Sequence, residues 1–173
     1  MAKNIHAQNQ KPAEVLLQKI VINTGIGRLT QQSGFEDKIL PQIERDLAMI
    51  TVQKFRRCPA IKSISGLKVR EGMIVGLSAT LRRKKMVDFF ERLITIVMPR
   101  IRDFNGIDFR NIDKNGVLNL GFKEQFVFPE INPEESFTPF SLGINVVPKV
   151  HGGIHGREEA VKIYRDLGLP FKK

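Results

Sequence analysis

Apolar residues in this chain recur at two periods, and the order in which the periods alternate restricts the fold. A period of two needs a sheet, and spacings of three and four need a helix. Residues 19–23 alternate, with Ile20 and Ile22 on one face and Lys19, Val21 and Asn23 on the other, and Gly25 and Gly27 end the segment. A helical stripe of Ile39, Ile43, Leu47 and Ile50 predicts a helix within 34–50, with Ser33 as N-cap and Pro41 tolerable only in the first turn. Leu67 to Arg70 and Met73 to Arg82 alternate around Glu71-Gly72, which predicts a hairpin. In its second arm Leu77, Ala79 and Leu81 point one way and Ser78, Thr80 and Arg82 the other.

A second helix fits 86–98, with Phe89, Phe90, Leu93, Ile94 and Val97 on one side and Pro99 ending it. Strands are predicted at Val117 to Phe122 and Ile144 to Val147, separated by a stretch with Pro129, Pro133 and Pro139. A last helix, about 157–167, buries Ala160, Val161, Tyr164 and Leu167, with Gly168 as its C′ residue. This order defines α+β: an antiparallel sheet with helices packed on one face and a long basic loop. Residues 1–14 read as a flexible arm and 15–173 as a single domain, with the basic loop at about 54–66.

Charge points to the partner. The formal net charge is +10. Between residues 51 and 87, ten cations (Lys54, Arg56, Arg57, Lys62, Lys68, Arg70, Arg82, Arg83, Lys84 and Lys85) face one acid, Glu71. Ordinary surfaces intersperse both signs, so charge this localised is the footprint of a polyanion, most often nucleic acid. Ser78, Thr80 and Arg82 on one strand, with Lys19 and Asn23 on another, mix neutral hydrogen-bonding groups with cations. That mixture suits folded RNA better than nonspecific duplex.

Other chemistry finds little support. One Cys excludes an internal disulfide and zinc ribbons. Cys58 lies among cations that can lower its pKa but has neither base nor oxyanion feature. Gly25-Ile26-Gly27 lacks the third glycine of a dinucleotide fingerprint, with Thr30 in that place. His151 and His155 are four apart, but Gly152 and Gly153 between them oppose a helix, and no third ligand follows. The acids near Phe109 to Asp113 read as loop solvation. No apolar run is long enough to span a membrane, and the start has no secretory h-region. The expectation is a soluble protein without catalytic residues, metal or cofactor.

Five runs carry a resemblance: KIVINTGIG (19–27), KSISGLKVREG (62–72), ATLRRKKM (79–86), LITIVMPRIRDFNGI (93–107) and LGFKEQFVFPEI (120–131), followed by LGLPF (167–171). Together, and in this order, they resemble universal large-subunit ribosomal protein number five, of bacterial or organellar type. The resemblance implies an antiparallel sheet backed by helices and no enzymatic activity. It implies binding to 5S rRNA and to 23S-type rRNA in the central protuberance. It also implies a basic loop approaching P-site tRNA, contacts with neighbouring large-subunit proteins, and a bridge to a small-subunit head protein.

Matched by motif, Asn23, Gln53 and Thr80 take the place of the family's 5S rRNA-binding residues, joined on the same strands by Lys19, Ser78 and Arg82. Arg56, Arg57, Lys62 and Ser63 fall in the tRNA-proximal loop, expected to be disordered until phosphate neutralises it. Lys54, Lys68, Arg70 and Arg83 are expected to meet further rRNA phosphates. The chain departs from the family pattern at Val52-Gln53-Lys54-Phe55, where members usually read Gly-Gln-Lys-Pro, at Cys58-Pro59, and around 148–156. A bacterial cytoplasm or an organelle, the plastid stroma before the mitochondrial matrix, is the expected location. A free-standing RNA chaperone and an RNA-processing enzyme are the competing classes.

Overall fold

The computed structural model describes residues 13–102, 104–149 and 156–172. Its five strands are β1 (Leu17–Gly25), β2 (Arg56–Pro59), β3 (Ile74–Leu81), β4 (Leu118–Phe122) and β5 (Leu142–Pro148). They form an antiparallel sheet in the order β2-β3-β1-β5-β4. The helices are α1 (Leu40–Thr51), α2 (Arg83–Arg92) and α3 (Arg157–Asp166), so the class is α+β as expected. Among the described residues no helix is long and apolar enough to cross a membrane.

The alternation read from sequence becomes burial. On β1, Ile20 and Ile22 are buried while Asn23 is exposed. On β3, Leu77, Ala79 and Leu81 are buried, with Ser78 and Thr80 half-exposed between them. On β5, Leu142, Ile144, Val146 and Pro148 are buried in turn. Each large aliphatic removed from water this way contributes about 1.5–3 kcal/mol.

Several boundaries differ from the sequence reading. Ser33 does not cap the first helix: Gly34, at φ +74°, precedes a π-helical turn Phe35–Ile39 that runs into α1. Pro41 sits in the first turn of α1, where it removes no needed donor. After α2 the helix continues as a π turn, Leu93–Val97, and Pro99 lies inside a closing 3-10 turn, Met98–Arg100. Ile94 and Val161 are only half-buried.

The hairpin partner of β3 is not residues 67–70 but β2, with Arg56 opposite Ser78 and Arg57 opposite Leu77. The predicted loop 54–66 therefore opens on an edge strand. Residues 60–73 fold back through the Ile64–Val69 bridge, and the Ser63 hydroxyl accepts the Glu71 N–H at 2.9 Å. The loop acids are structural: Asp113 Oδ1 accepts the N–H groups of Asn115 and Val117, each at 2.8 Å, and Asp108 accepts that of Arg110. Ala13 is buried, and Lys149 donates to the Glu14 carbonyl, so packed chain begins by residue 13. The rest of the predicted arm, and His151 and His155, lie outside the described residues.

The chain clusters into two compact units. One comprises 22–79 and 121–143 and contains a buried polar network. There the Ser136 hydroxyl donates to Asp46 Oδ2 at 2.5 Å and accepts the Gln42 and Gln125 amides at 3.0 and 2.9 Å. The network ties the Pro-rich connection to α1.

The other unit contains α2, α3 and the C-terminal segment. Its anchor is Tyr164, fully buried, whose hydroxyl lies 2.9 Å from the Gly116 carbonyl oxygen and 3.1 Å from that of Val146 and donates to them. Burial pushes this phenol well above the ordinary tyrosine value. Tyr164→Phe is expected to cost about 1–2 kcal/mol, read by urea unfolding. The raised folded value means that the Tyr164 contribution is complete below pH ~10 and falls as pH rises and the unfolded chain ionises first. The phenylalanine variant loses that alkaline decline, and an unchanged alkaline limb would count against it.

Candidate nucleic-acid interface

Strand alternation sorts the site residues. Lys19 and Asn23 lie on the side of β1 opposite Ile20 and Ile22, and Ser78 and Thr80 lie on the side of β3 opposite its buried leucines. Directly paired residues of an antiparallel ladder share a face. The register therefore places Arg56 on the Ser78 side and Arg57 on the Leu77 side.

The two adjacent arginines, equivalent in sequence, are separated by the pleat. Arg57 meets α1, donating from Nε and Nη2 to the two carboxylate oxygens of Glu44 at 2.6 and 2.9 Å. This hydrogen-bonded fork holds the Glu44 carboxyl below its ordinary pKa. It also anchors β2, the root of the basic loop, to the helix. Arg57 thus serves as a strut, while Arg56 stays on the sheet surface.

Gln53 is half-buried just beyond α1. The turn that delivers it is made by Val52 at φ +52°, the C-cap of α1, whose N–H bonds back to the Ala48 carbonyl at 2.8 Å. A β-branched residue is strained there, and glycine, the usual residue of the resembled family, is not. Val52→Gly is expected to raise stability by about 1 kcal/mol, visible as a higher urea midpoint. A lower midpoint would show that the turn carries no strain.

Lys54, Lys62, Lys68, Arg70, Arg82 and Arg83 are all exposed. Lys68 and Arg83 also take positive φ, at +53° and +54°. Lys62, Ser63 and Lys68 belong to the 60–73 excursion, whereas Arg82 and Arg83 lie at the far end of β3, where α2 begins. The structure therefore divides the basic segment between a loop and a helix start.

Sequence reasoning missed Asn119 and Asn145, on the outward sides of β4 and β5, where Asn145 Nδ2 donates to Asn119 Oδ1 at 2.5 Å. The alternation of those strands was the available signal. Gly143 was also missed: a Cβ there would collide with the Asn23 side-chain amide. Among the described residues no group of His, Cys, Asp or Glu could hold a metal ion. Cys58, half-buried on β2, makes a 3.8 Å contact from its sulfur to the Arg56 carbonyl.

An α+β sheet bearing neutral hydrogen-bonding groups on its outward side and a cationic excursion at its edge defines a protein built for polyanion contact. Residues 74–171 match the C-terminal region of the ribosomal protein L5 family. The chain is 44% identical over 156 residues to the large ribosomal subunit protein uL5c of Cyanidium caldarium, covering 90% of this chain and 82% of that one. It is 40% identical to uL5 of Geobacter sulfurreducens, with 90% and 83% covered, and 39% identical to uL5c of Tetradesmus obliquus, with 98% and 87% covered. The chain belongs to the uL5 family of large-subunit ribosomal proteins. It is thus a structural component of the translation machinery rather than an enzyme, associated with rRNA and other ribosomal proteins. Its relatives include both bacterial and plastid proteins.

Proposed function

We propose that the chain binds 5S rRNA in the central protuberance, through the outward side of β1 and β3, and touches 23S-type rRNA with its further cations. Asn23, Gln53 and Thr80 supply hydrogen bonds, Lys19, Ser78 and Arg82 flank them, and Lys54, Lys68, Arg70 and Arg83 meet phosphates. The excursion bearing Lys62 and Ser63 approaches P-site tRNA, and the protein joins a bridge to the small-subunit head. The plastid stroma is the favoured compartment, supported by two plastid-type relatives.

The observation that carries this reading is the β2–β3 register. It puts Arg56 opposite Ser78, beside a neutral polar row, while Arg57 turns away to Glu44. A cation next to hydroxyl groups serves phosphate and sugar together.

Equilibrium binding to refolded 5S rRNA and to a size-matched tRNA, across a salt series, tests it. A large 5S preference that survives at physiological salt is expected. Equal binding that collapses together would mean that only charge is read. Within the series, Arg56→Ala is expected to lower the salt slope by about 0.7–0.9, the value for one phosphate contact. Arg57→Ala is expected to change it less, since its charge is already paired. Equal slopes for the two variants would overturn the distinction.

A further inference from the structure

The excursion 60–73 and the turn after β1 enclose an open groove of about 1180 Å³. Its floor is aliphatic, with Val69 and Val75, and Ile64 and Leu67 stand at its rim half or more exposed. Arg28, Lys62 and Lys68 line it, and among the described residues no Asp or Glu does. A hollow combining apolar floor and unopposed cations is complementary to a polyanion that also carries flat apolar faces.

Three glycines in its wall sharpen the reading. Gly25, Gly27 and Gly66 do not take a positive φ. A Cβ on Gly25 or Gly66 would meet nothing within 4 Å, and one on Gly27 would make only ordinary contact with Val75. Neither backbone conformation nor packing therefore demands glycine at these positions. What the absent side chains leave is open space, the arrangement that permits close approach of a ligand to backbone.

We propose that this groove takes an unpaired stretch of RNA, with phosphates on Arg28, Lys62 and Lys68 and a base against Val69 and Val75. This rests on the RNA-binding reading above and assigns it a second surface, distinct from the outward sides of β1 and β3. A duplex hides its base faces and cannot use the aliphatic floor, whereas a looped-out or single-stranded segment can. Aliphatic side chains such as Ile64 and Leu67 insert against unstacked bases in other nucleic-acid complexes by the same physics.

The test uses the full chain with three probes: a short single-stranded RNA of mixed sequence, the blunt duplex of the same sequence, and refolded 5S rRNA. The single strand is expected to bind roughly tenfold tighter than the duplex at matched salt. Gly25→Leu and Gly66→Leu fill the groove and are expected to remove that preference with no change in thermal midpoint, because their Cβ atoms meet no neighbour. Arg28→Ala, which leaves the groove open, is expected to lower the single-strand salt slope by about 0.7.

Equal binding of single strand and duplex by the unmodified chain would overturn the assignment. So would a preference that persists in both leucine variants. A groove that takes an acidic, leucine-rich peptide while RNA affinity stays unchanged in those variants would overturn it in favour of a protein partner. These results leave 5S binding intact. Failure of the unmodified chain to prefer 5S rRNA over tRNA would instead strike the underlying reading.

Discussion

Asp46→Ala is expected to destabilise the protein by about 3–4 kcal/mol, the sum for two orphaned buried groups. Asp46 is 1% exposed. Its Oδ2 accepts the Ser136 hydroxyl at 2.5 Å and the Gln42 amide at 3.2 Å. The hydroxyl has one proton, which goes to Asp46, and its lone pairs are engaged by the amides of Gln42 and Gln125. Gln125 in turn fixes the connection from both ends of its amide, donating to the Thr138 carbonyl at 3.1 Å and accepting the Phe140 N–H at 2.9 Å.

Removing the carboxylate leaves a hydroxyl and an amide with no acceptor where water does not reach. Among the described residues Gln42 Oε1 already lacks a partner, so the network has no slack to reorganise. Urea unfolding measures the loss. A change below about 1 kcal/mol would show that solvent enters and replaces the carboxylate. Ser136→Ala in the Asp46→Ala background is expected to add less than its separate cost, because the two share one network.

Asn23→Ala is expected to weaken 5S rRNA binding by about 1–3 kcal/mol, the range for a lost buried polar partner. Gly143→Ala is expected to reproduce that loss without touching the RNA surface chemically. A Cβ on Gly143 would overlap the Asn23 Oδ1 and lie 3.2 Å from its Cγ. The obstructing atoms are the end of a side chain, so the fold tolerates the change and the amide moves instead. The affinity loss therefore comes with an unchanged unfolding midpoint, and the double variant binds no worse than Asn23→Ala alone. Gly121→Ala, where a Cβ meets nothing within 4 Å, serves as control. Full affinity in Gly143→Ala would show that the orientation of Asn23 is not what 5S rRNA reads.

Much of the scaffold was legible because period and burial are local matters. Ile20 and Ile22, Leu77 to Leu81, and Ile39 to Ile50 announce their elements by spacing alone, and all became core. Ser33 misled because the residue that starts the helix, Gly34, works through backbone conformation rather than a side-chain oxygen. The hairpin misled because residues 67–70 alternate as well as any strand. A 3-10 turn at Ser65–Leu67 and Lys68 at positive φ break them, and β3 pairs with the less regular Arg56–Pro59 instead. The polar network had a sequence trace: Gln42 and Asp46, four apart, stand beside the apolar stripe of α1. Their partners lie 90 or more residues away, beyond any local pattern.

The sequence by itself determined the elements, the confinement of positive charge to one segment and, through five ordered motifs, the family. Each of these depends on neighbours along the chain. Tertiary structure alone decided that Arg56 and Arg57 face opposite ways, that Gly143 makes room for Asn23, and that the excursion encloses a groove. Those outcomes depend on strand register and on which distant residues share a face, and a slip of one residue in pairing would reverse them.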